Sequence, residues 1–158
     1  MSKKWRIVLI IICILAIAAA AVLAAMRFWL PTRRIQQVEQ AALDQLGKPY
    51  VFGTAGPDSF DCSGLMKYAY AAVDVELDHN TRTVAADESY ETIDEPDQLQ
   101  RGDLVYFNTV SSGSRIDHVG LWLGDNQFVH ASSANGEVMV SDFDERWQER
   151  FVLAKRIL

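Results

Sequence analysis

His118-Val119-Gly120-Leu121-Trp122-Leu123-Gly124-Asp125-Asn126-Gln127-Phe128-Val129-His130-Ala131 reads as a β-hairpin. Two runs of aliphatic and aromatic residues flank Gly124-Asp125-Asn126, a turn signal. A three-residue loop pairs Leu123 with Gln127 and sets His130 opposite Gly120. His130 then shares a face with His118, diagonal to it and about 7–8 Å away between Cα atoms. That face carries His118, Gly120, Trp122, Phe128 and His130. The other carries Val119, Leu121, Leu123, Val129 and Ala131 and is expected to be the core face. A two-residue loop without a bulge would split the two histidines between faces.

Working outward, strands are predicted over 103–107, 117–123, 127–131, 137–141 and 151–158, separated by turn residues. Upstream the period changes. Ile35, Val38, Ala42 and Leu46 have helical spacing, and Gly47 and Pro49 end that helix. Tyr50-Val51-Phe52 is a short extended piece and 53–59 a loop. A second helix begins at Asp61, with Leu65, Ala69, Ala72 and Val73 on one face. Residues 74–100 hold nine acids and a single Arg, Arg82, and read as a solvated face of loops with at most one helix. Helices followed by consecutive strands give an α+β fold with an antiparallel sheet.

The chain begins differently. Residues 7–26 form a run of twenty without a charge, almost all Ile, Leu, Val or Ala. As a helix they reach about 30 Å, the hydrocarbon thickness of a bilayer. Lys3, Lys4 and Arg6 precede the run, Arg27, Arg33 and Arg34 follow it, and Trp5 and Trp29 bracket it as interfacial aromatics do. One N-terminal transmembrane helix is therefore expected within a segment of residues 1–31, followed by a soluble domain over 32–158. The run exceeds the roughly 7–15 residues of a signal-peptide core. An uncleaved anchor is expected, although Ala18–Ala21 and Ala24-Ala25 would permit cleavage and secretion. The free amine tips the flanking charges towards a cytoplasmic N-terminus, which puts the domain outside the cell membrane. Cys13, inside the run with no small residue before it, is read as apolar filler.

Charge is split. Residues 1–34 hold six basic residues and no acid, leaving nine basic residues against 21 acids and a charge of −12 in the remainder. Phosphate is repelled by such a body, which excludes nucleic acid as a partner.

Cys62 is the only cysteine after the membrane segment, so the soluble part offers it no disulfide partner. Asp61 is an N-cap residue type, which places Cys62 in the first turn of a helix. Unpaired N–H groups and the positive dipole end there favour a thiolate and can stabilise an oxyanion. A lowered thiol pKa is expected, with iodoacetamide labelling persisting below about pH 7. Gly64 is expected to leave room for substrate. His118 would take the thiol proton and His130 would fix its ring. His79, beside Asn80 in the acidic stretch, is expected at the surface. A metal site of Cys62, Asp117, His118 and His130 lacks the short local spacing of structural zinc ligands, and the chemistry needs no metal or organic cofactor.

Five blocks in order, 47–53 (GKPYVFG), 60–65 (FDCSGL), 102–107 (GDLVYF), 118–124 (HVGLWLG) and 128–131 (FVHA), resemble the NlpC-type cell-wall peptidases, papain-like cysteine endopeptidases of bacterial peptidoglycan. The similarity runs from about residue 35 to the C-terminus. It implies Cys62 as nucleophile, His118 as general base and His130 as the third polar residue. It also implies Asp61 and Ser63 as the residues that hold the free amine of the stem peptide's L-alanine, and Tyr50 as the active-site tyrosine. The implied reaction hydrolyses the bond between γ-D-glutamate and the following diamino acid. The chain departs from the pattern in the loop Gly53-Thr54-Ala55-Gly56, where many members have two adjacent glycines. It departs again at Arg101, where proline is common, and at Thr81-Arg82-Thr83, which stands for a Pro-Arg-Thr-type element. An amidase or other acyl transfer on the same fold, and a non-catalytic muropeptide-binding module, are the competing readings.

Overall fold

The computed structural model describes residues 3–110 and 115–158; within the first helix, the side chains of 3, 4, 6–9 and 27–31 lie outside the described set. The chain divides into two compact units, 1–34 and 35–158, each described by itself. Helix α1 is Lys3–Leu43.

In the first unit, the described side chains from Ile10 to Met26, Cys13 among them, are all exposed. Among the described residues no helix is long and apolar enough to cross a membrane. Residues 7–9, which complete the apolar run, have side chains outside the described set, as do Lys3, Lys4, Arg6, Arg27 and Trp29.

In the second unit the end of α1 buries Val38 and Ala42. The helix stops at Leu43, so Leu46, expected on its buried face, is exposed beyond it. Glu39 on the same stretch is buried, and Arg101 holds it with Nε at 3.0 Å and Nη2 at 2.6 Å. That pairing is what arginine does at position 101 and proline could not. Helix α2 is Cys62–Ala71 and α3 is Thr81–Ala86. Ala72, expected on the buried face of α2, is its exposed C-cap.

Six antiparallel strands follow: β1 Glu91–Ile93, β2 Leu104–Phe107, β3 His118–Gly124, β4 Gln127–Ser132, β5 Glu137–Asp142 and β6 Phe151–Arg156. A short helix α4, Glu145–Gln148, precedes β6. The sheet order is β1-β6-β2-β3-β4-β5. Strand β1 was hidden in the sequence by its acidic surroundings. It is an edge strand of three residues with one buried side chain, Ile93, and it pairs with β6.

The hairpin loop differs from expectation. It has two residues, Asp125 and Asn126, both at positive φ (50° and 56°) as a type I′ turn requires. Gly124 pairs with Gln127, and a register shift between Trp122 and Gly124 absorbs one residue. Beyond that bulge Leu121 pairs with Val129 and Trp122 with Phe128, the register a three-residue loop would give. His118 and His130 therefore keep a common face.

Both faces of the sheet are covered. Val119, Leu121, Val129 and Ala131 join α1, α2 and α3 residues in one core. Trp122 and Phe128, on the histidine face, join Val105, Phe107, Phe143 and Trp147 in a second. The histidines thus stand in an interior rather than on an open face.

Candidate active site

Asp61 caps α2, its side chain accepting the Gly64 N–H at 2.7 Å. Such a cap stabilises a helix by about 1 kcal/mol and fixes Cys62 at the first helical position. The Cys62 N–H has no acceptor among the described residues. The sulfur is 3.8 Å from Thr81 Oγ1, and the backbone N–H groups of Val119 and Ser63 point to it. Packing of α2 on β3 thus brings the thiol against the residue that follows His118.

His118 Nε2 is 2.8 Å from His130 Nδ1, and His130 Nε2 is 2.9 Å from Ser141 Oγ. Trp147 stacks on His118 with ring centroids 5.8 Å apart and meets His130 edge-on at 5.4 Å. Two tautomer sets satisfy this chain. In one, His118 carries its proton on Nε2 and donates to His130 Nδ1, and His130 donates from Nε2 to Ser141. That set leaves His118 Nδ1, unpartnered among the described residues, free to accept a proton.

Burial dominates the titration of the site. It lowers His118 to about 4, against a small opposing effect of Asp117, and lowers His130 to about 3, helped by its neighbour His118. Burial also pushes the Cys62 thiol up, outweighing the hydrogen bonds from Thr81, Val119 and Ser63 that favour the thiolate. The expected low thiol pKa is thus corrected: burial favours the neutral thiol and the neutral imidazole. Tyr50 is also raised, by burial first and then by the nearness of Cys62 and Asp61, so its phenol stays a neutral donor.

A cleft of about 300 Å³ opens over the sulfur, lined by Tyr50, Phe52, Gly53, Asp61, Cys62, Ser63, His79, Asn80, Thr81, Arg82, Arg115, Ile116 and Asp117. It gathers Tyr50, Asp61, Cys62 and Ser63, whereas His118 and His130 are buried and do not line it. The guanidiniums of Arg82 and Arg115 have no acidic partner among the described residues. Asp117 is occupied by the Thr109 N–H and hydroxyl, both at 2.8 Å, and the Val110 N–H at 3.2 Å.

The sequence reading missed three participants. His79, expected at the surface, is half-buried and bonded through Nε2 to both Asp61 oxygens, at 2.9 and 3.0 Å. Its signal was Asn80, which caps α3 by accepting from Arg82 and Thr83 N–H and so fixes the residue before it. Ser141 follows from strand pairing: it is opposite Phe128 and therefore diagonal to His130 on one face. Thr81 had no local signal. Gly64, expected to admit substrate, admits backbone instead: a Cβ there would run into the Thr54 carbonyl oxygen and lie 2.9 Å from Ala55 Cα.

Ser141→Ala is expected to lower kcat about fivefold with KM unchanged, the worth of about 1 kcal/mol for one hydrogen bond. Ser141→Thr, which keeps the hydroxyl, is expected to retain the wild-type rate. Equal loss in both variants would remove Ser141 from the relay.

Comparison with known proteins points the same way. A model of the NlpC/P60 family matches residues 47–156. The chain is 41% identical over 131 residues to the probable endopeptidase YafL of Escherichia coli K12, covering 78% of this chain and 49% of the relative. It is 35% identical over 135 residues to the murein DD-endopeptidase MepH of the same organism, covering 79% and 48%. The chain thus spans about half the length of these relatives. Among solved structures, the peptidoglycan hydrolase RipB of Mycobacterium tuberculosis superposes with a TM-score of 0.68 at 26% identity, covering 80% of this chain and 66% of that one.

Proposed function

This chain belongs to the NlpC/P60 family, and from that premise we propose that it is a cysteine endopeptidase that hydrolyses peptidoglycan stem peptides between γ-D-glutamate and the following diamino acid. One observation carries the reading: a thiol at a capped helix start, facing the Val119 N–H, on a helix packed against β3, whose first residue, His118, opens the His118–His130–Ser141 chain. The guanidiniums of Arg82 and Arg115, which have no acidic partner among the described residues, suit an anionic peptide.

Cys62 attacks the amide carbon as its proton passes to His118 Nδ1. The Cys62 N–H faces the developing oxyanion. Protonated His118 then gives its proton to the leaving amine. Water attacks the thioester with His118 again as base, releasing the acid and the thiol.

Mass spectrometry of defined, cross-linked muropeptides incubated with the full chain in detergent tests this. New termini after γ-D-glutamate are expected. The name of MepH marks the D,D cross-link as a second bond to watch, and cutting there alone would replace the first. Release of an amide or ester group with every peptide bond intact would favour another acyl transfer. Binding without any product would favour a non-catalytic module.

We further propose that residues 7–26 anchor the chain in the cell membrane, with the catalytic domain outside. The exposed apolar side chains of Ile10–Met26 support this. Extraction of the full chain from membranes by alkaline carbonate would sink it.

A further inference from the structure

We propose that His79 sets the substrate class of the cleft. It closes Asp61 to a substrate ammonium, so that the cleft takes stem peptides whose first nitrogen is acylated rather than free. This rests on the peptidase reading above and narrows it.

The Asp61 carboxylate is 5% exposed as a residue and fully engaged. Oδ1 accepts from Gly64 N at 2.7 Å, Ser63 Oγ at 3.1 Å and His79 Nε2 at 2.9 Å. Oδ2 accepts from Gly53 N at 2.8 Å and again from His79 Nε2 at 3.0 Å. A carboxylate offers about four lone-pair positions, and these are taken. Three of the donors hold the fold together: Gly53 and Gly64 are backbone, and Ser63 belongs to α2. His79 is the one donor that reaches Asp61 from a separate segment, and its ring lines the cleft beside the carboxylate.

An ammonium brings three donors and a full charge, and burying it without acceptors costs several kcal/mol. To reach Asp61 it must expel His79 from a contact with both oxygens. An acylated nitrogen brings one N–H and no charge. Ser63 matches that demand. Its hydroxyl proton is given to Asp61, so its oxygen is left to accept a single N–H from the cleft. The nearby guanidiniums of Arg82 and Arg115 also oppose a cationic end and favour a carboxylate. A stem still joined to glycan carries such an acylated nitrogen, whereas a peptide already cut free carries the ammonium.

The test separates this inference from the reaction itself. Calorimetric titration of the full-length Cys62→Ala chain in detergent with N-acetyl-L-alanyl-γ-D-glutamate and with the same dipeptide bearing a free amine reads the inference. The acetylated form is expected to bind at least tenfold more tightly. Adding His79→Ala is expected to improve the free-amine form about tenfold, since Asp61 is then open. Equal or tighter binding of the free amine with His79 in place overturns the proposal, as does binding of neither. Turnover of the matching tripeptides by the wild type reads the reaction. Hydrolysis with no preference sinks the inference alone, and selective binding without hydrolysis sinks the peptidase reading alone.

Discussion

Cys62→Ala is expected to lower muropeptide turnover by about 10⁴-fold or more, the loss typical when a covalent nucleophile is removed. The reason lies in what else the cleft offers. Ser63 spends its hydroxyl proton on Asp61. Thr81 is 3.8 Å from the sulfur and has no imidazole bonded to it. A carboxylate that activated water directly would bypass the thiol, but Asp61 and Asp117 are both committed to local donors. Among the described residues no substitute nucleophile is poised, so rates within tenfold of wild type would overturn the assignment.

The same site has a defined pH behaviour. Burial holds the thiol up and lowers His118 to about 4, so the proton moves as the sulfur attacks, not before. Because His118 must be neutral to act as base, the acid limb of kcat/KM is expected near pH 4, below the ordinary histidine range around 6.5. Iodoacetamide labelling of Cys62 is expected to rise only above the ordinary thiol range near 8.5. Fast labelling below pH 7 would show that an ion pair forms before substrate arrives.

What could be read from the chain divides along physical lines. Periodicity is a property of local segments, so the α2 start and strands β2 to β6 were legible to within a few residues. The hairpin register was legible because the turn residues and the alternating apolar pattern constrain it together. The two-residue loop was not, since a bulge at Leu123 gives the same register as a longer loop. Contacts between distant segments left no local trace. The bond from His79 to Asp61 joins residues separated by a loop and a helix, and Ser141 reaches His130 only once β4 and β5 pair. Burial is likewise a property of the assembled core. The sequence showed an N-cap dipole that lowers a thiol pKa, but not the core of α2 and β3 residues that desolvates the sulfur.

Gly64 puts two physical effects in open conflict, and their sizes decide the sign. It lies inside α2, where alanine is favoured over glycine by about 1 kcal/mol. Propensity alone therefore makes Gly64→Ala stabilising. Crowding opposes it. The new Cβ would collide with the Thr54 carbonyl oxygen and sit 2.9 Å from both Thr54 C and Ala55 Cα, all backbone atoms. The Asp61 N–H bonds that same Thr54 oxygen at 2.9 Å, and the Gly53 N–H bonds Asp61 Oδ2 at 2.8 Å, so the segment cannot retreat without releasing the cap. Overpacking costs about 1–3 kcal/mol and losing a buried charge-assisted hydrogen bond about as much again. The sum exceeds the helical gain. Gly64→Ala is expected to be destabilised by about 2–4 kcal/mol, visible in urea melts, and to lose about 100-fold in kcat/KM as Asp61 and Cys62 shift. Gly53→Ala is the control, for its Cβ meets nothing within 4 Å and it carries only the strain of φ +80°. It is expected to lose about 1 kcal/mol. A Gly64→Ala chain as stable as wild type would mean that the 53–55 segment yields freely, and that the cleft wall is softer than its hydrogen bonds imply.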